Sequence, residues 1–345
     1  MAEARSTPVK AAVIGAGAWG TTLARLLAQQ GFSVRIWAYE HEVVDAIRVK
    51  HENTRFLPGV CLPETLAATG SLEQAVDQVS LIVFAVPSHA ARSVLQQLAS
   101  LLTGQTPLIS VTKGIEEDTL LLMAQVMQET LLPAMHASIT VLSGPSFAAE
   151  VCKGLPTAVT LAGEDAELVR KLQSWLMTPA FRVYAATDLI GVQLGGALKN
   201  VMAIAAGIVD GLGLGHNARA ALVTRGLSEM IRLGTAMGAD LRTFYGLSGV
   251  GDLVLTCTGT LSRNHAVGVR LGQGESLEHI LADFHAVAEG VRTARAAWGL
   301  ADKLHVEMPI AHEVCQVLFE GKLSQQSVAD LMERAAKDEI GTYAR

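Results

Sequence analysis

The sequence predicts an α/β domain with a doubly wound, mainly parallel sheet, followed by an all-helical domain. In the first half, short apolar runs bounded by turn residues alternate with helical patterns, which is typical of βαβ units. Beyond about Asp188 the strand signals vanish, and the remainder is rich in Ala, Leu and Gly with helical periodicity. We therefore expect a polar, disordered N-terminus at residues 1–8, the sheet domain at 9–188 and the helical domain at 189–345.

Composition narrows the class of protein. With 345 residues and 50% hydrophobic content, the chain can bury a large core and form two domains. A net charge of −6 without basic runs argues against nucleic-acid binding. We expect no stretch long and apolar enough to span a bilayer, hence no membrane insertion and a cytoplasmic location. The cysteines, which lie far apart without a CxxC pair, predict reduced, buried thiols and no metal site: Cys61, Cys152, Cys257 and Cys315.

The first predicted strand, residues 9–14, leads into three glycines at the start of a helix that runs to Gln30. In this setting Gly15 makes the tight turn, Gly17 lets the backbone approach a pyrophosphate, and Gly20 lets helix and strand pack closely. The helix N-terminus offers unpaired N–H groups to the anion. A signal peptide or membrane span is the alternative, but the uncharged stretch is too short and the glycines have motif spacing. The pattern predicts a Rossmann-type dinucleotide site.

The second predicted strand, residues 33–37, leads to Glu40, which lies 20 residues after Gly20. An acid at that spacing accepts the ribose 2′-hydroxyl of NAD and repels the 2′-phosphate of NADP. Alternatively, the Glu40 side chain points away into the helix predicted at residues 41–49. Basic residues in and after the strand provide the opposite chemistry, because they would neutralise a 2′-phosphate: Arg35, Arg48, Lys50 and Arg55.

Later strands are predicted at residues 81–86, 108–111, 139–142, 158–161 and 181–184, with helices at 90–102 and 120–131. Ligands collect at the carboxyl ends of strands in an open α/β sheet, so the polar residues that follow these strands are candidates. His89 is a candidate base, although a histidine at a helix start after a proline is more often a structural contact. Lys113, between a buried strand and a glycine, projects an ammonium towards an anionic substrate or the cofactor, with simple solvation as the alternative. Residues 143–146 form a third such segment.

The helical domain begins with residues 190–205, which are apolar on nearly every side of a predicted helix. Each interior glycine costs roughly 1 kcal/mol relative to alanine, so Gly195 and Gly196 indicate close approach by another backbone or a ligand. Lys199 is the sole charge in residues 189–209. A buried lysine is expensive unless it is paired or used in chemistry. Next to a dinucleotide site, the pattern favours a catalytic lysine over one that reaches solvent at a helix edge.

Two further polar clusters complement that lysine. Asp252 follows a glycine-rich turn and starts an apolar helix, where it either caps the helix or orients a cationic Lys199. The tripeptide Ser262-Arg263-Asn264 supplies a guanidinium and two small hydrogen-bonding groups, a suitable cradle for a phosphate. Taken alone, the tripeptide is a weak signal.

Taken together, these motifs resemble the NAD(P)-dependent sn-glycerol-3-phosphate dehydrogenases of the bacterial soluble type. The similarity runs from Val13 to about Asp338 through residues 15–21, 86–89, 112–114, 143–148, 191–200, 251–258, 262–264 and 289–290. The resemblance implies reversible reduction of dihydroxyacetone phosphate to sn-glycerol 3-phosphate, feeding glycerophospholipid synthesis, with no metal and as a homodimer. Because bacterial relatives commonly favour NADP, we expect both NAD and NADP to work and NADPH to be moderately preferred.

The resemblance also implies a role for each matching position. Lys199 is the proton donor and acceptor. The substrate-binding residues are Lys113, Gly144, Ser146, Lys199, Asp252, Ser262, Arg263 and Asn264. The cofactor-binding residues are Gly15, Gly17, Ala18, Trp19, Gly20, Tyr39, Lys113, Ala148, Arg263, Val287 and Glu289. The chain departs from the common pattern at Ala18, often serine, and at Ser146, often threonine, and neither change puts the reaction in doubt.

Two other functions stay open on the sequence. The first is a related two-domain reductase of a β-hydroxy or keto acid, which would share the nucleotide domain and the helical-domain lysine. Its carboxylate substrate distinguishes it, and the Ser262-Arg263-Asn264 cluster with Lys113 favours a phosphate. The second is a non-catalytic nucleotide sensor. Loss of Lys199 or Asp252 would support a sensor, and both residues are present.

Overall fold

A computed structural model of the chain describes residues 8–102, 104–283, 288–336 and 338–339. The chain forms two compact units, one from residues 1–113 and 122–189 and the other from 114–121 and 190–345. The predicted disordered segment 1–8 lies outside the described residues, apart from Pro8, which is exposed. Residues 114–121 belong to the second unit, although the sequence placed them within the first domain.

The first unit contains one eight-stranded sheet in the order β3-β2-β1-β4-β5-β6-β7-β8. Its strands are β1 Lys10–Ile14, β2 Ser33–Trp37, β3 Leu66–Thr69, β4 Leu81–Phe84, β5 Leu108–Ser110, β6 Ile139–Ser143, β7 Thr157–Gly163 and β8 Phe181–Ala186. All neighbouring strands are parallel except the antiparallel pair β6–β7. The predicted mainly parallel sheet is confirmed, and β3 is the strand that the sequence did not predict.

The helices of the first unit are α1 Ala18–Gln29, α2 His41–Lys50, α3 Leu72–Val76, α4 Ser88–Ala99, α5 Met123–Thr130, α6 Ala148–Cys152 and α7 Ala166–Leu176. Their apolar faces cover the sheet, whose central strands are buried throughout; every residue of β4 is buried. Helix α7 begins where Asp165 accepts hydrogen bonds from the N–H groups of Glu167 and Leu168. Helix α5 is shorter than predicted, because Leu120 has a φ of 62° and cannot belong to a right-handed helix.

The strand order of the sheet reverses between β1 and β4. From β1 the chain continues to β2 and β3 at one edge, and it then crosses to β4 and continues towards the opposite edge. A doubly wound sheet binds its ligands in the crevice at the carboxyl ends of such a pair. The turn after β1 lies there: the N–H of Gly15 donates to the Trp37 carbonyl at 3.0 Å, and that of Ala85 to the Ile14 carbonyl at 2.8 Å.

The described part of the second unit is helical and contains no strand. Its helices are α8 Leu189–Gly211, α9 Gly215–Ala236, α10 Asp252–Thr258, α11 Arg263–Gly272, α12 Leu277–Asp283, α13 Glu289–Lys303, α14 Pro309–Phe319 and α15 Ser324–Met332. A 3-10 turn, Leu241–Tyr245, and a π turn, Leu247–Gly251, lead into α10. The predicted helical fold of this half is confirmed.

Helix α8 corrects one expectation about membranes. Over its 23 residues it is long and apolar enough to cross a bilayer, so the prediction that no stretch has these properties is wrong. The most apolar stretch of α8 is, however, entirely buried inside the structure. The apolar character of α8 is explained by burial on all sides, since a helix in the centre of a core has no solvent-facing side.

The expectation of reduced, buried thiols holds for only some of the cysteines. None forms a disulfide, and Cys257 and Cys315 are buried. Burial raises the pKa of the Cys257 thiol to about 12, which keeps it protonated and unreactive at neutral pH. Cys152 is half-buried and Cys61 is exposed, so the prediction of four buried thiols is wrong for these two.

Candidate active site

The turn after β1 has the geometry that a pyrophosphate requires. Gly15 has a φ of +110°, and a Cβ atom there would lie 2.6 Å from the Ala85 carbonyl oxygen. On Gly20 a Cβ atom would lie 2.0 Å from the Gly15 oxygen, whereas on Gly17 it would meet nothing within 4 Å. Gly17 is also the N-cap of α1, and no side chain caps that helix. The turn therefore leaves open backbone and helix N–H groups for an anion, which fits a dinucleotide cofactor.

The other predicted cofactor contacts lie on several elements. In the first unit, Ala18 and Trp19 form the first turn of α1, and the Trp19 ring centroid lies 6.5 Å from that of Phe181. Tyr39 follows β2 and is 81% exposed, and Ala148 begins α6. In the second unit, Glu289 begins α13. Val287 lies outside the described residues.

Two of the basic residues expected to neutralise a 2′-phosphate are engaged elsewhere. The Arg35 guanidinium donates to the carbonyls of Gln74 at 2.7 Å and Asp77 at 3.2 Å. Arg48 donates to the carbonyl of Ala68 on β3 at 2.9 Å. These two guanidinium groups stabilise the edge of the sheet around β3 and α3.

The remaining residues of that group lie on or after α2. Lys50 is exposed in the last turn of α2. Arg55 forms an ion pair with Glu42, which is in the first turn. Glu40 is the N-cap residue, and its backbone carbonyl accepts hydrogen bonds from the next turn, but its side chain caps nothing. Of the four basic residues expected to neutralise a 2′-phosphate, Arg55 is therefore the one whose side chain reaches the N-terminus of α2.

Three of the predicted residues meet at the carboxyl ends of β5 and β6. The Lys113 ammonium donates to the carbonyl of Gly144 at 3.3 Å, and the Ser146 hydroxyl donates to the same oxygen at 3.0 Å. Gly144 has a φ of +143°, and a Cβ atom there would lie 2.9 Å from the Val159 Cα. The structure therefore brings Lys113, Gly144 and Ser146 together. His89, the candidate base, is an exposed residue in the first turn of α4.

The second unit contains a buried ion pair between Lys199 of α8 and Asp252 at the start of α10. The two side chains are 8% and 0% exposed. Asp252 forms no N-terminal cap, since the N-cap residue of α10 is Gly251 and no side chain caps the helix there. Of the two roles that the sequence left open for Asp252, the structure shows contact with the lysine. The close approach expected at Gly195 is also present, because a Cβ atom there would lie 2.1 Å from the Ser248 carbonyl oxygen.

Thr256, one turn after Asp252 on α10, is a buried neighbour that sequence reasoning missed. Its hydroxyl donates to the Asp252 carbonyl at 2.6 Å and lies 3.4 Å from the carboxylate Oδ1. The spacing i, i+4 on a predicted helix was the available signal. Thr256 adds a polar group to the surroundings of the ion pair without adding charge.

The Ser262-Arg263-Asn264 segment lies at the start of α11, and its three side chains have different surroundings. Ser262 is the N-cap residue, and its hydroxyl accepts the His265 N–H at 3.2 Å. Asn264 is buried, and its Oδ1 accepts the N–H of Gly290 at 3.0 Å. Because that oxygen is used, the amide presents N–H groups to any further partner. Arg263 is exposed. The segment therefore supplies donors, which suit a phosphate.

A second polar cluster lies beside α11 and was not predicted. Asp210, at the end of α8, accepts hydrogen bonds from Arg219 and from the ring of His265, each at 2.8 Å. Its pKa is lowered: burial raises it, but the hydrogen bonds and charges of His265 and Arg219 outweigh that effect. Asp210 and His265 are 55 residues apart in the sequence, so no local pattern indicated their contact. Across the described residues, no group of three or more His, Cys, Asp or Glu side chains could hold a metal ion.

Comparison with known proteins decides the family. Models of the NAD-dependent glycerol-3-phosphate dehydrogenase N-terminus and C-terminus match residues 10–169 and 188–329, respectively. The chain belongs to the NAD-dependent glycerol-3-phosphate dehydrogenase family. It is 55% identical over 332 residues to a glycerol-3-phosphate dehydrogenase [NAD(P)+] of Geobacter metallireducens, covering 96% of this chain and 99% of the relative. It is 49% identical to the protein of the same name from Myxococcus xanthus, covering 96% and 99%.

Solved structures of this dehydrogenase family share the fold. The glycerol-3-phosphate dehydrogenase of Coxiella burnetii matches with a TM-score of 0.91 and 40% identity, over 95% of this chain and 99% of that one. That of Saccharomyces cerevisiae matches with a TM-score of 0.80 and 28% identity, over 95% and 100%. A D-mandelate dehydrogenase, with a TM-score of 0.60 and 16% identity over 93% and 99%, shares the fold alone. The resemblance seen in the motifs is thus confirmed, and the chain is an oxidoreductase of this family.

Proposed function

We propose that the chain catalyses the reversible NAD(P)H-dependent reduction of dihydroxyacetone phosphate to sn-glycerol 3-phosphate. The observation that carries the proposal is the buried Lys199–Asp252 pair, in the same unit as the donor groups of Asn264 and Arg263. The similar proteins from Geobacter metallireducens and Myxococcus xanthus bear the name of this enzyme. A carbonyl and a phosphate are the two groups that these residues would recognise.

Lys199 is the group proposed to handle the proton. A nicotinamide cofactor, when bound, would supply the hydride for the carbonyl carbon, and the carbonyl oxygen would gain negative charge. The Lys199 ammonium would hydrogen-bond that oxygen, stabilise the charge and deliver the proton. Asp252, at hydrogen-bonding distance from the same ammonium, would hold it in place. In the oxidation direction the neutral amine would accept the proton.

The start of α11 is proposed to bind the phosphate. The Asn264 amide is oriented by the Gly290 N–H, so its NH2 group is available for a phosphate oxygen. Arg263 follows the Ser262 cap and supplies a guanidinium, the side chain best suited to bidentate contacts with phosphate. Phosphate binding far from the reacting carbon would supply energy to orient the carbonyl. We assign Lys113, Gly144, Ser146 and Ser262 to substrate binding in the same reaction.

The cofactor and physiological role are part of the proposal. Both NAD and NADP would serve, with NADPH moderately preferred, and the glycine turn after β1 would bind the pyrophosphate. The product would feed glycerophospholipid synthesis in the cytoplasm, and the enzyme would act as a homodimer. The [NAD(P)+] designation of the similar proteins supports the use of both cofactors. The preference for NADPH, the lipid role, the location and the homodimer extend the resemblance seen in the motifs.

A substrate comparison tests the proposed reaction. Purified protein is assayed for oxidation of NADH and of NADPH with dihydroxyacetone phosphate, and in parallel with a 2-keto acid such as ketopantoate. We expect turnover with dihydroxyacetone phosphate and kcat/KM at least a hundredfold lower with the keto acid, since the latter lacks the phosphate that Asn264 and Arg263 would bind. Preference for the keto acid would show that the chain is a keto acid reductase. Cofactor binding without turnover on either substrate would indicate a nucleotide sensor.

A further inference from the structure

We propose that Arg55 and Glu42 together set the preference between NADP and NAD. In this proposal the Arg55 guanidinium binds the ribose 2′-phosphate of NADP, and Glu42 competes with that phosphate for the same guanidinium. The inference rests on the proposed use of a nicotinamide dinucleotide and names the residues that discriminate between its two forms.

The loop that carries Arg55 is fixed against the glycine turn. Asn53 is fully buried, and its side-chain NH2 donates to the Ala16 carbonyl at 2.7 Å and to the Thr21 hydroxyl at 2.8 Å. Its Oδ1 accepts the N–H of Phe56 at 3.1 Å, which closes a turn around Arg55. Residues 53–56 are therefore attached to the segment that would bind the pyrophosphate, and Arg55 projects from a rigid base.

From this base the Arg55 side chain reaches the helix that follows β2. It pairs with Glu42 in the first turn of α2, the helix that follows β2 after three residues. The end of β2 is where a doubly wound domain contacts the adenosine ribose, by an acid for the 2′-hydroxyl or an arginine for the 2′-phosphate. The guanidinium carbon also lies 5.1 Å from the centroid of the Phe56 ring, which limits its movement.

Acidic and basic side chains both lie at the start of α2, so the preference between NADP and NAD depends on the Arg55–Glu42 pair. Glu40 and Glu42 both lie at the start of α2, and on their own they would repel a 2′-phosphate. Arg55 provides the opposite charge, and its side chain is 41% exposed, against 67% for Glu42. An ion pair this exposed contributes little to stability, so the guanidinium is able to exchange Glu42 for a phosphate. Removing either partner should therefore shift cofactor preference, and in opposite directions.

The kinetic test compares variants at the two positions. The measured quantity is the ratio of kcat/KM for NADPH to kcat/KM for NADH, at saturating dihydroxyacetone phosphate. We expect Arg55→Ala to lower the ratio about tenfold, the effect of losing a charge-assisted contact to phosphate. Glu42→Gln should raise it several-fold, because the guanidinium is no longer paired. Both shifts should shrink at high ionic strength. Arg170→Ala is the matched control: it removes an exposed positive charge from α7, a helix that carries neither residue of the pair, and should change the ratio less than twofold.

A binding measurement separates this inference from the proposed reaction. Calorimetric titration with adenosine 2′,5′-bisphosphate and with adenosine 5′-monophosphate needs no turnover. We expect Arg55→Ala to weaken the bisphosphate about tenfold more than the monophosphate, and Glu42→Gln to strengthen the bisphosphate selectively. Equal effects on both nucleotides, or a ratio that moves in the same direction in both variants, would overturn the inference. If dihydroxyacetone phosphate is not reduced and Arg55 still discriminates the two nucleotides, the proposed reaction fails and the inference is upheld.

Discussion

At the residue scale, the Lys199–Asp252 pair constrains how the site can be tested. Both side chains are almost entirely removed from water, so each charge depends on the other. Removing one partner of a buried pair commonly costs about 3–5 kcal/mol, because the remaining charge has no counter-ion. Lys199→Ala on its own would leave the Asp252 carboxylate without the ammonium that it contacts. With Asp252 fully buried, we now expect that single variant to be destabilised, so the charges are best removed together.

Asn264 provides a prediction that separates substrate from cofactor binding. Asn264→Ala removes the donors proposed for the phosphate, and Asn264→Asp keeps an acceptor for the Gly290 N–H but adds a negative charge. We expect KM for dihydroxyacetone phosphate to rise roughly 10-fold or more in the alanine variant, the worth of a hydrogen bond to a charged group. The aspartate variant should be worse because of repulsion. Cofactor titration should show almost wild-type affinity in both; a large loss would place Asn264 in the cofactor site.

The buried carboxyl group of Glu229 in α9 should make the free energy of unfolding depend on pH. The carboxyl group is 1% exposed and accepts hydrogen bonds from the N–H groups of Ile310 and Ala311, in the first turn of α14. Burial raises its pKa from 4.5 to about 7, against the opposing effect of those hydrogen bonds. The folded protein therefore holds this proton between pH 4.5 and 7, where the unfolded chain releases it. The resulting stabilisation is complete below pH 4.5 and is lost as the pH rises towards 7.

The measurement for Glu229 is urea unfolding of the wild type and of Glu229→Gln at several pH values from 5 to 8. We expect the wild type to lose up to about 3 kcal/mol over this range relative to the glutamine variant. Glutamine keeps an acceptor for the two N–H groups and does not titrate. Parallel pH dependences of the two proteins would show that Glu229 is not protonated in the folded state at pH 5.

At the element scale, α8 and the π turn are held together by backbone contact. A Cβ atom on Gly195 would lie 2.1 Å from the Ser248 carbonyl, and one on Gly249 would lie 2.1 Å from the Phe244 carbonyl. The π turn leads directly into Asp252, so the position of this carboxylate depends on how closely the turn approaches α8. Gly195, which the sequence marked as costly in a helix, is therefore needed for the register between Lys199 and Asp252.

Gly195→Ala tests that dependence. The added methyl group must push the π turn away, since the contacted atom belongs to the backbone. We expect the free energy of unfolding to fall by about 1–3 kcal/mol, as in other overpacked cores, and kcat to fall with it. Thermal unfolding and steady-state kinetics on the same preparation provide both values. Unchanged stability together with unchanged kcat would show that the turn has room to relax without moving Asp252.

The elements also show why some structure was predictable and some was not. Strands β1 and β4 are buried in a sheet covered on both faces, so they form continuous apolar runs that are visible in the sequence. Strand β3, Leu-Ala-Ala-Thr, is a short edge strand of weakly apolar residues and has no such run. Residues 114–121 look like a loop of the first domain. Their grouping with the second unit depends on contacts distant in sequence, such as the Glu117–Arg292 ion pair at 3.4 Å.

At the scale of the whole molecule, each unit contains its own group of candidate residues. In the first unit, the glycine turn, Lys113, Gly144 and Ser146 follow strand ends, where the doubly wound fold made them predictable. In the second unit, Lys199 was predictable as the only charge in an apolar helix, and its contact with Asp252 is confirmed by the structure. The Asp210–His265–Arg219 cluster and the position of the loop carrying Arg55 were not predictable from the sequence, because they depend on side-chain contacts between distant segments.

The most direct test of the proposed reaction is reduction of dihydroxyacetone phosphate by the double variant Lys199→Met/Asp252→Asn. The substitutions remove both charges while keeping side chains of similar size, so no unpaired charge remains buried. NADPH oxidation is followed in the wild type and in the variant, with folding checked by thermal unfolding and cofactor affinity by titration. We predict wild-type turnover and a kcat lowered by about 10²–10⁴ in the variant, the usual worth of a positioned acid–base group, with cofactor affinity nearly unchanged. Near wild-type kcat in the folded variant would contradict the role of Lys199, and no turnover by the wild type would contradict the reaction itself.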